Sequence, residues 1–136
     1  MKKYTSVLTA LLCLSFILTA CGGSSIASNK LNIAMTDFKY GPMDNTIQAG
    51  QEVTLNISNT GAVIHEYVIM KLGQTAGEKF GDEDEGNIYW EVEVDPGQSK
   101  TVTFTAPSDP GTYEIVCGTE GHLEAGMKGT LAVVAP

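Results

Sequence analysis

Four side chains stand out for the chemistry they could do together. Cys117 is followed after four residues by His122 and after four more by Met127, a C-x4-H-x4-M run, and the only other histidine, His65, lies 52 residues before the cysteine. A thiolate and two imidazoles in a near-trigonal arrangement, with a weak thioether on the axis, form a set that holds one copper ion for electron transfer. Such an ion alternates between a softer and a harder oxidation state, and mixed sulfur and nitrogen donors suit both with little rearrangement. Gly118, Gly121, Gly126 and Gly129 punctuate the run, and glycine lets a short chain bend sharply enough for several side chains to meet. Singly, each residue has an ordinary reading: a cysteine beside a strand is often a small buried apolar group, and a loop methionine more often packs than ligates. Glu66, Glu120 and Glu124 lie near the set in sequence, so a carboxylate is the alternative to Met127 as the fourth group.

Strands must position these residues. From Leu31 onward the chain reads as period-two runs broken by Gly, Pro, Asn and Asp. The runs are Leu31–Thr36, Thr46–Gln48, Glu52–Ser58, Ile64–Lys71, Ile88–Val94, Lys100–Thr105, Thr112–Cys117 and Thr130–Val134. Turn signals at Asn59-Thr60-Gly61, Asp95-Pro96-Gly97 and Asp109-Pro110-Gly111 separate them. About eight short strands over this length predict an all-β fold, an eight-stranded Greek-key sandwich or barrel. Met70, Trp90, Tyr89 and Tyr113 are expected in the core. Gly73 to Asn87, with Glu78, Asp82, Glu83, Asp84 and Glu85, reads as an exposed loop, either a solvated insertion or a partner-docking surface. Its carboxylates lack the spacing of an EF-hand calcium loop.

With 136 residues the chain fits one domain plus a processed end. Acidic residues outnumber lysines 16 to 8, for a formal charge of -8, which excludes nucleic acid as the natural partner. Apolar residues at 43% against 18% charged describe a folded chain rather than a disordered one. Lys2 and Lys3 precede a mostly apolar stretch from Val7 to Ala20, which has the build of a secretory leader and, at 14 residues, is short for a membrane span. The stretch closes on Leu18-Thr19-Ala20-Cys21, which resembles the lipobox of bacterial lipoproteins and implies cleavage before Cys21 and lipid on it. The expected organisation is a signal peptide over 1–20, a lipidated cysteine with a small polar tether over 21–30, and a folded domain over 31–136. The tether would reach roughly 15–18 Å. Loss of Lys2 and Lys3 with the leader takes the charge from -8 to -10. Outside the cytoplasm, membrane-anchored, the lone thiol of Cys117 would be liable to oxidation unless buried or bound.

The segments Tyr113-Glu-Ile-Val-Cys117-Gly-Thr-Glu-Gly-His122-Leu-Glu-Ala-Gly-Met127-Lys-Gly-Thr, Gly61-Ala-Val-Ile-His65-Glu-Tyr and Phe38-Lys-Tyr-Gly-Pro42 together resemble the cupredoxins, the small blue copper proteins that include plastocyanin, azurin, rusticyanin and auracyanin. The resemblance spans nearly all of Leu31–Pro136. It implies His65, Cys117 and His122 as equatorial ligands, Met127 as the axial one, and an electron carrier rather than an enzyme. It also implies an apolar docking patch at Leu123 and Ala125 beside His122 and redox partners such as a membrane oxidoreductase; the chain's own negative charge, dense at Asp82 to Glu85, would draw a positively charged partner such as a basic cytochrome. A monomer is expected. Two features depart from the family: many members have Asn after the first histidine and Ser or Thr after the cysteine, bracing the site, where this chain has Glu66 and Gly118. Thr119 is a candidate substitute. The rival readings are a protein for copper delivery, storage or resistance, and a red copper centre with a carboxylate ligand.

Overall fold

Strict alternation sets the facing of two long strands, β1 (Lys30–Thr36) and β4 (Glu52–Asn59), whose apolar residues Leu31, Ile33, Met35, Val53, Leu55 and Ile57 all point inward. In the computed structural model, which describes residues 27–136, these two strands pair in parallel, with β2 (Lys39–Gly41) and β7 (Ser99–Thr105) on either side in the order β2-β1-β4-β7. A second sheet faces it: β3 (Asp44–Gln48), β5 (His65–Met70), β6 (Ile88–Val94), β8 (Gly111–Val116) and β9 (Lys128–Val134), ordered β3-β9-β8-β5-β6. β4 lies between β1 and β7, and β8 between β5 and β9. The chain therefore crosses between sheets as a Greek-key sandwich requires. The described residues hold nine strands rather than eight. The addition is β2, whose three residues are too few to alternate visibly. The leader 1–20, Cys21 and most of the tether lie outside the described residues.

The main core fills the space between the sheets, and Trp90 of β6 stacks on Phe104 of β7 at 4.7 Å to join them. A second, smaller cluster forms on the outer face of the five-stranded sheet, where Val68, Met70, Ala76, Val116 and Leu123 are buried with Phe80 and Ile88 against them. The segment 73–87 is thus not simply a solvated insertion. Ala76 and Phe80 press it onto the sheet, and the Ala76 N–H donates to Glu114 at 2.9 Å. It ends in a 3-10 turn, Glu85–Asn87, where the Asn87 N–H donates to the Asp84 carbonyl. Tyr113 and Met70 are core residues as expected, but Tyr89 is not. The alternation of β6 turns Tyr89 outward with Glu91 and Glu93, and its hydroxyl donates to the Thr105 carbonyl.

Candidate metal centre

Each donor is delivered by a different local device. His65 opens β5, and the loop before it is fixed by Asn59, a fully buried side chain that donates to the carbonyls of Val63 and Val94 and accepts the Gly61 N–H. Cys117 follows the last residue of β8. His122 sits in the loop after it, held by its N–H to the Thr119 carbonyl and by its own carbonyl, which accepts the Met127 N–H. The Cys117 N–H donates to the Met127 carbonyl at 3.2 Å, closing the loop on itself. Gly121 and Gly126 turn it with φ of 80° and 94°, values that side chains rarely adopt.

The donors converge. Nδ1 of His65 lies 3.1 Å from Nδ1 of His122, and the Cys117 Sγ is 3.4 Å from His122 Nδ1 and 4.0 Å from His65 Nδ1. A trigonal ion with bonds of about 2.0 Å to nitrogen and about 2.3 Å to sulfur would space its donors by about 3.5–3.7 Å. The measured separations bracket that spacing, so the residues present fit one ion. All three are buried, at 0%, 0% and 6% exposure for His65, Cys117 and His122. Burial first, and the His65 imidazole second, push the His122 pKa down, which favours the neutral ring a metal needs. Met127 is fully buried in the same cluster as Cys117. Among the described residues no carboxylate joins the His65, Cys117 and His122 group, and Glu120 and Glu124 are exposed. A soft, mixed sulfur and imidazole set of this kind is the one that suits copper.

Around the donors lies a layer that sequence reasoning largely missed. The Glu66 N–H points at the Cys117 sulfur, 3.4 Å away. Tyr40 donates its hydroxyl to the Glu66 carbonyl at 2.6 Å, and burial first, then Cys117, hold its phenol well above the ordinary value, so it stays a neutral donor. Asp37 Oδ1 lies 3.2 Å from His65 Nε2, and the Phe38 ring meets His122 edge-on at 5.2 Å. Thr119 does brace the site: its hydroxyl donates to the Ile64 carbonyl and ties the cysteine loop to the histidine loop. Glu66 and Gly118 are explained together, because a Cβ on Gly118 would collide with the Glu66 carboxylate, which instead accepts the Gly118 N–H. The Phe38 segment carried a sequence signal as part of the family resemblance, and Glu66, Gly118 and Thr119 as departures from it. Asp37 had none.

Two expected docking residues are misplaced. Leu123 is buried beneath the 73–87 segment rather than exposed, since the outer face of the sheet needs an apolar cover, and Asp84 is turned in to accept the Gly81 N–H. Ala125, Asp82, Glu83 and Glu85 are at the surface. Among the described residues, Phe38, which packs on His122, and Val63 and Ile64, which precede His65, are exposed as well.

The model of the Cupredoxin-like domain family matches residues 8–133. Auracyanin-A of Chloroflexus aurantiacus is 30% identical in an alignment of 155 positions that covers 93% of this chain and 94% of that protein. A 46-residue stretch is 50% identical to Auracyanin-B of the same organism, 34% of this chain and 19% of that protein. The copper-resistant cuproprotein CopI of Rubrivivax gelatinosus is 27% identical across 82% of this chain and 70% of its own. Among solved structures, dithionite-reduced auracyanin from Roseiflexus castenholzii superposes with a TM-score of 0.66 at 32% identity, covering 79% of this chain and 98% of that one.

Proposed function

The chain belongs to the cupredoxin-like family, and on that premise we propose that it carries single electrons between redox partners outside the cytoplasm, with one copper ion held by His65, Cys117, His122 and Met127. When bound, the ion supplies a one-electron couple. The observation that carries this reading is the convergence of two imidazole nitrogens and a thiol within 4.8 Å, all buried. Hydrogen bonds from both sides hold these donors in place, so little has to move when the charge at the site changes. Slight rearrangement is what fast transfer requires. Both histidines of the chain are consumed by the set, leaving none for a second, substrate-binding metal, which supports a carrier rather than an enzyme.

The route to a partner runs through the His122 edge. Phe38 covers it, and Val63 and Ile64 extend an apolar surface beside it. Asp82, Glu83 and Glu85 suit a positively charged partner such as a basic cytochrome, by long-range attraction. The leader and Leu18-Thr19-Ala20-Cys21 support a lipid anchor on a bacterial membrane. Copper delivery or resistance is the second reading, favoured by the likeness to CopI. Ligands this deeply buried suit retention better than hand-over.

The test is the visible spectrum of the copper-loaded protein. An intense thiolate-to-copper band that Cys117→Ser abolishes, with reversible one-electron cycling, is expected. A band that survives the substitution would defeat the ligand assignment, and rapid loss of copper to a chelator would favour the resistance reading.

A further inference from the structure

The turn between β1 and β2 is built at a cost that the fold alone does not explain. Thr36 pairs with Lys39, so Asp37 and Phe38 form a two-residue hairpin loop. Phe38 takes φ of 67°, the left-handed region in which glycine or asparagine is the usual choice at such a position. A side chain there is strained. Strain of this kind gathers at functional sites, and the residues it aims are the ones at the metal centre. Asp37 Oδ1 faces His65 Nε2, while Phe38 packs against His122.

A second observation concerns Gly61. Its φ is not in the left-handed region, so conformational freedom does not account for it. A Cβ at this position would collide with Asp37 Oδ1 and come within 2.5 Å of His65 Nε2. Gly61 is therefore the gap through which the carboxylate reaches the imidazole. The neighbouring Ala62 N–H donates to the same oxygen at 2.9 Å, fixing the carboxylate. Thr60 anchors this loop to β1, donating both its N–H and its hydroxyl to the Met35 carbonyl.

We infer that Asp37 is a positioning residue of the metal centre, which holds His65 with Nδ1 turned to the ion and whose negative charge, one imidazole away, favours the higher oxidation state. The inference rests on the copper reading. A ligand imidazole that donates its other N–H to a carboxylate is fixed in tautomer and orientation and becomes a stronger base, and loss of such a partner commonly costs 10–100-fold in metal affinity. Asp37 is 44% exposed, so solvent screens part of its charge and the lower end of that range applies.

Two variants separate orientation from charge. Asp37→Asn keeps an oxygen that can accept from His65 Nε2–H and Ala62 N–H but removes the charge. Cu(II) affinity should fall relative to Cu(I) by up to about tenfold, a rise in potential of up to about 59 mV, with the melting temperature of the metal-free protein unchanged. Gly61→Ala keeps the charge but closes the gap. It should weaken Zn(II) binding to the metal-free protein by about tenfold, measured by competition with a chelator. The inference is overturned if Asp37→Asn shifts the Cu(II)/Cu(I) affinity ratio by less than twofold or lowers the potential. It is equally overturned if Gly61→Ala binds Zn(II) as the parent does. A parent protein that takes up copper without a thiolate band would instead defeat the copper reading itself, so the two failures are distinguishable.

Discussion

Glu66 and Gly118 occupy each other's space, and exchanging them for the family's usual bracing pair tests that directly. In Gly118→Ser, the new Cβ collides with the Glu66 carboxylate and lies 3.2 Å from Cδ1 and Cε1 of Phe80. The carboxylate must leave the Gly118 N–H. A charge-assisted hydrogen bond is worth about 1.5–3 kcal/mol, and because Glu66 is half-buried about 1 kcal/mol is the appropriate share. Phe80 must shift as well, at a cost of about 1 kcal/mol. The reduced freedom of the unfolded chain returns about 0.5 kcal/mol. Gly118→Ser should therefore destabilise the metal-free protein by about 1.5 kcal/mol on these terms.

Glu66→Asn behaves differently. Burial first, then Glu91, Glu93 and Glu85, raise the Glu66 pKa, and Glu66 stands directly opposite Glu93 in the β5 and β6 ladder. A carboxyl group whose pKa is raised by folding favours the folded state most at pH below its unfolded value, and that contribution is lost as pH rises through the raised value. At neutral pH, removing this charge relieves repulsion worth a few tenths of a kcal/mol but forfeits the acceptor of the Gly118 N–H, worth about 1 kcal/mol, so Glu66→Asn should destabilise by about 0.5 kcal/mol. In acid the repulsion is gone and the cost should be larger. The short asparagine also leaves room for a serine at 118, so the double variant should be more stable than the sum of the singles by about 1 kcal/mol. Urea unfolding of the four metal-free proteins at neutral and acid pH measures the cycle. Additivity within about 0.3 kcal/mol would refute the claim that these two positions share one space.

Met127→Gln should lower the reduction potential, because an oxygen donor favours the oxidised ion where a thioether favours the reduced one; cyclic voltammetry checks it, and an unchanged potential removes Met127 from the ligand set. Tyr67→Phe should raise the melting temperature of the metal-free protein by about 4 °C, because the Tyr67 hydroxyl is buried with no partner among the described residues and such a group costs about 1 kcal/mol or more; a lower temperature would mean that the hydroxyl is satisfied in solution. Cys21→Ala should abolish lipidation, read from the mass of the native N-terminus, and an unmodified Cys21 in the parent leaves a soluble secreted carrier. Neutralising Asp82, Glu83 and Glu85 should slow encounter with a basic cytochrome at low salt, whereas Ile64→Asp should weaken transfer at every salt concentration. Stopped-flow oxidation distinguishes the two, and a salt-insensitive parent rate returns the acidic loop to a solvated surface.

The cluster of His65, Cys117 and His122 was legible in the sequence because metal chemistry restricts residue type: with one cysteine in the folded part and two histidines in the chain, few sets are possible. The strands were legible because half-buried sheets impose a two-residue period, as in Ala34 to Thr36 and Leu55 to Ile57, where buried and wetted positions alternate. Periodicity failed where a face is covered by something other than the opposite sheet. Leu123 reads as a loop residue free to meet a partner, yet it caps the outer face of β5 and β8, and only the fold brings the 73–87 segment over it. β2 failed for length, and Asp84 failed because one inward hydrogen bond leaves no trace in a run of acidic residues.

The layer around the donors escaped for a different reason. Asp37 and His65 are 28 residues apart and meet because β1 runs parallel to β4, which no local pattern encodes. What the sequence does carry of this layer is its imprint in the glycines. Gly121 and Gly126 are explained by left-handed backbone, but Gly61, Gly118 and Gly129 are not. Each of these three is the place where another group enters: Asp37 at Gly61, Glu66 at Gly118, and the Met43 carbonyl at Gly129. A glycine near a ligand whose backbone does not require it marks space reserved for a neighbour. The residue filling that space, rather than the glycine, is then the one whose chemistry acts on the site.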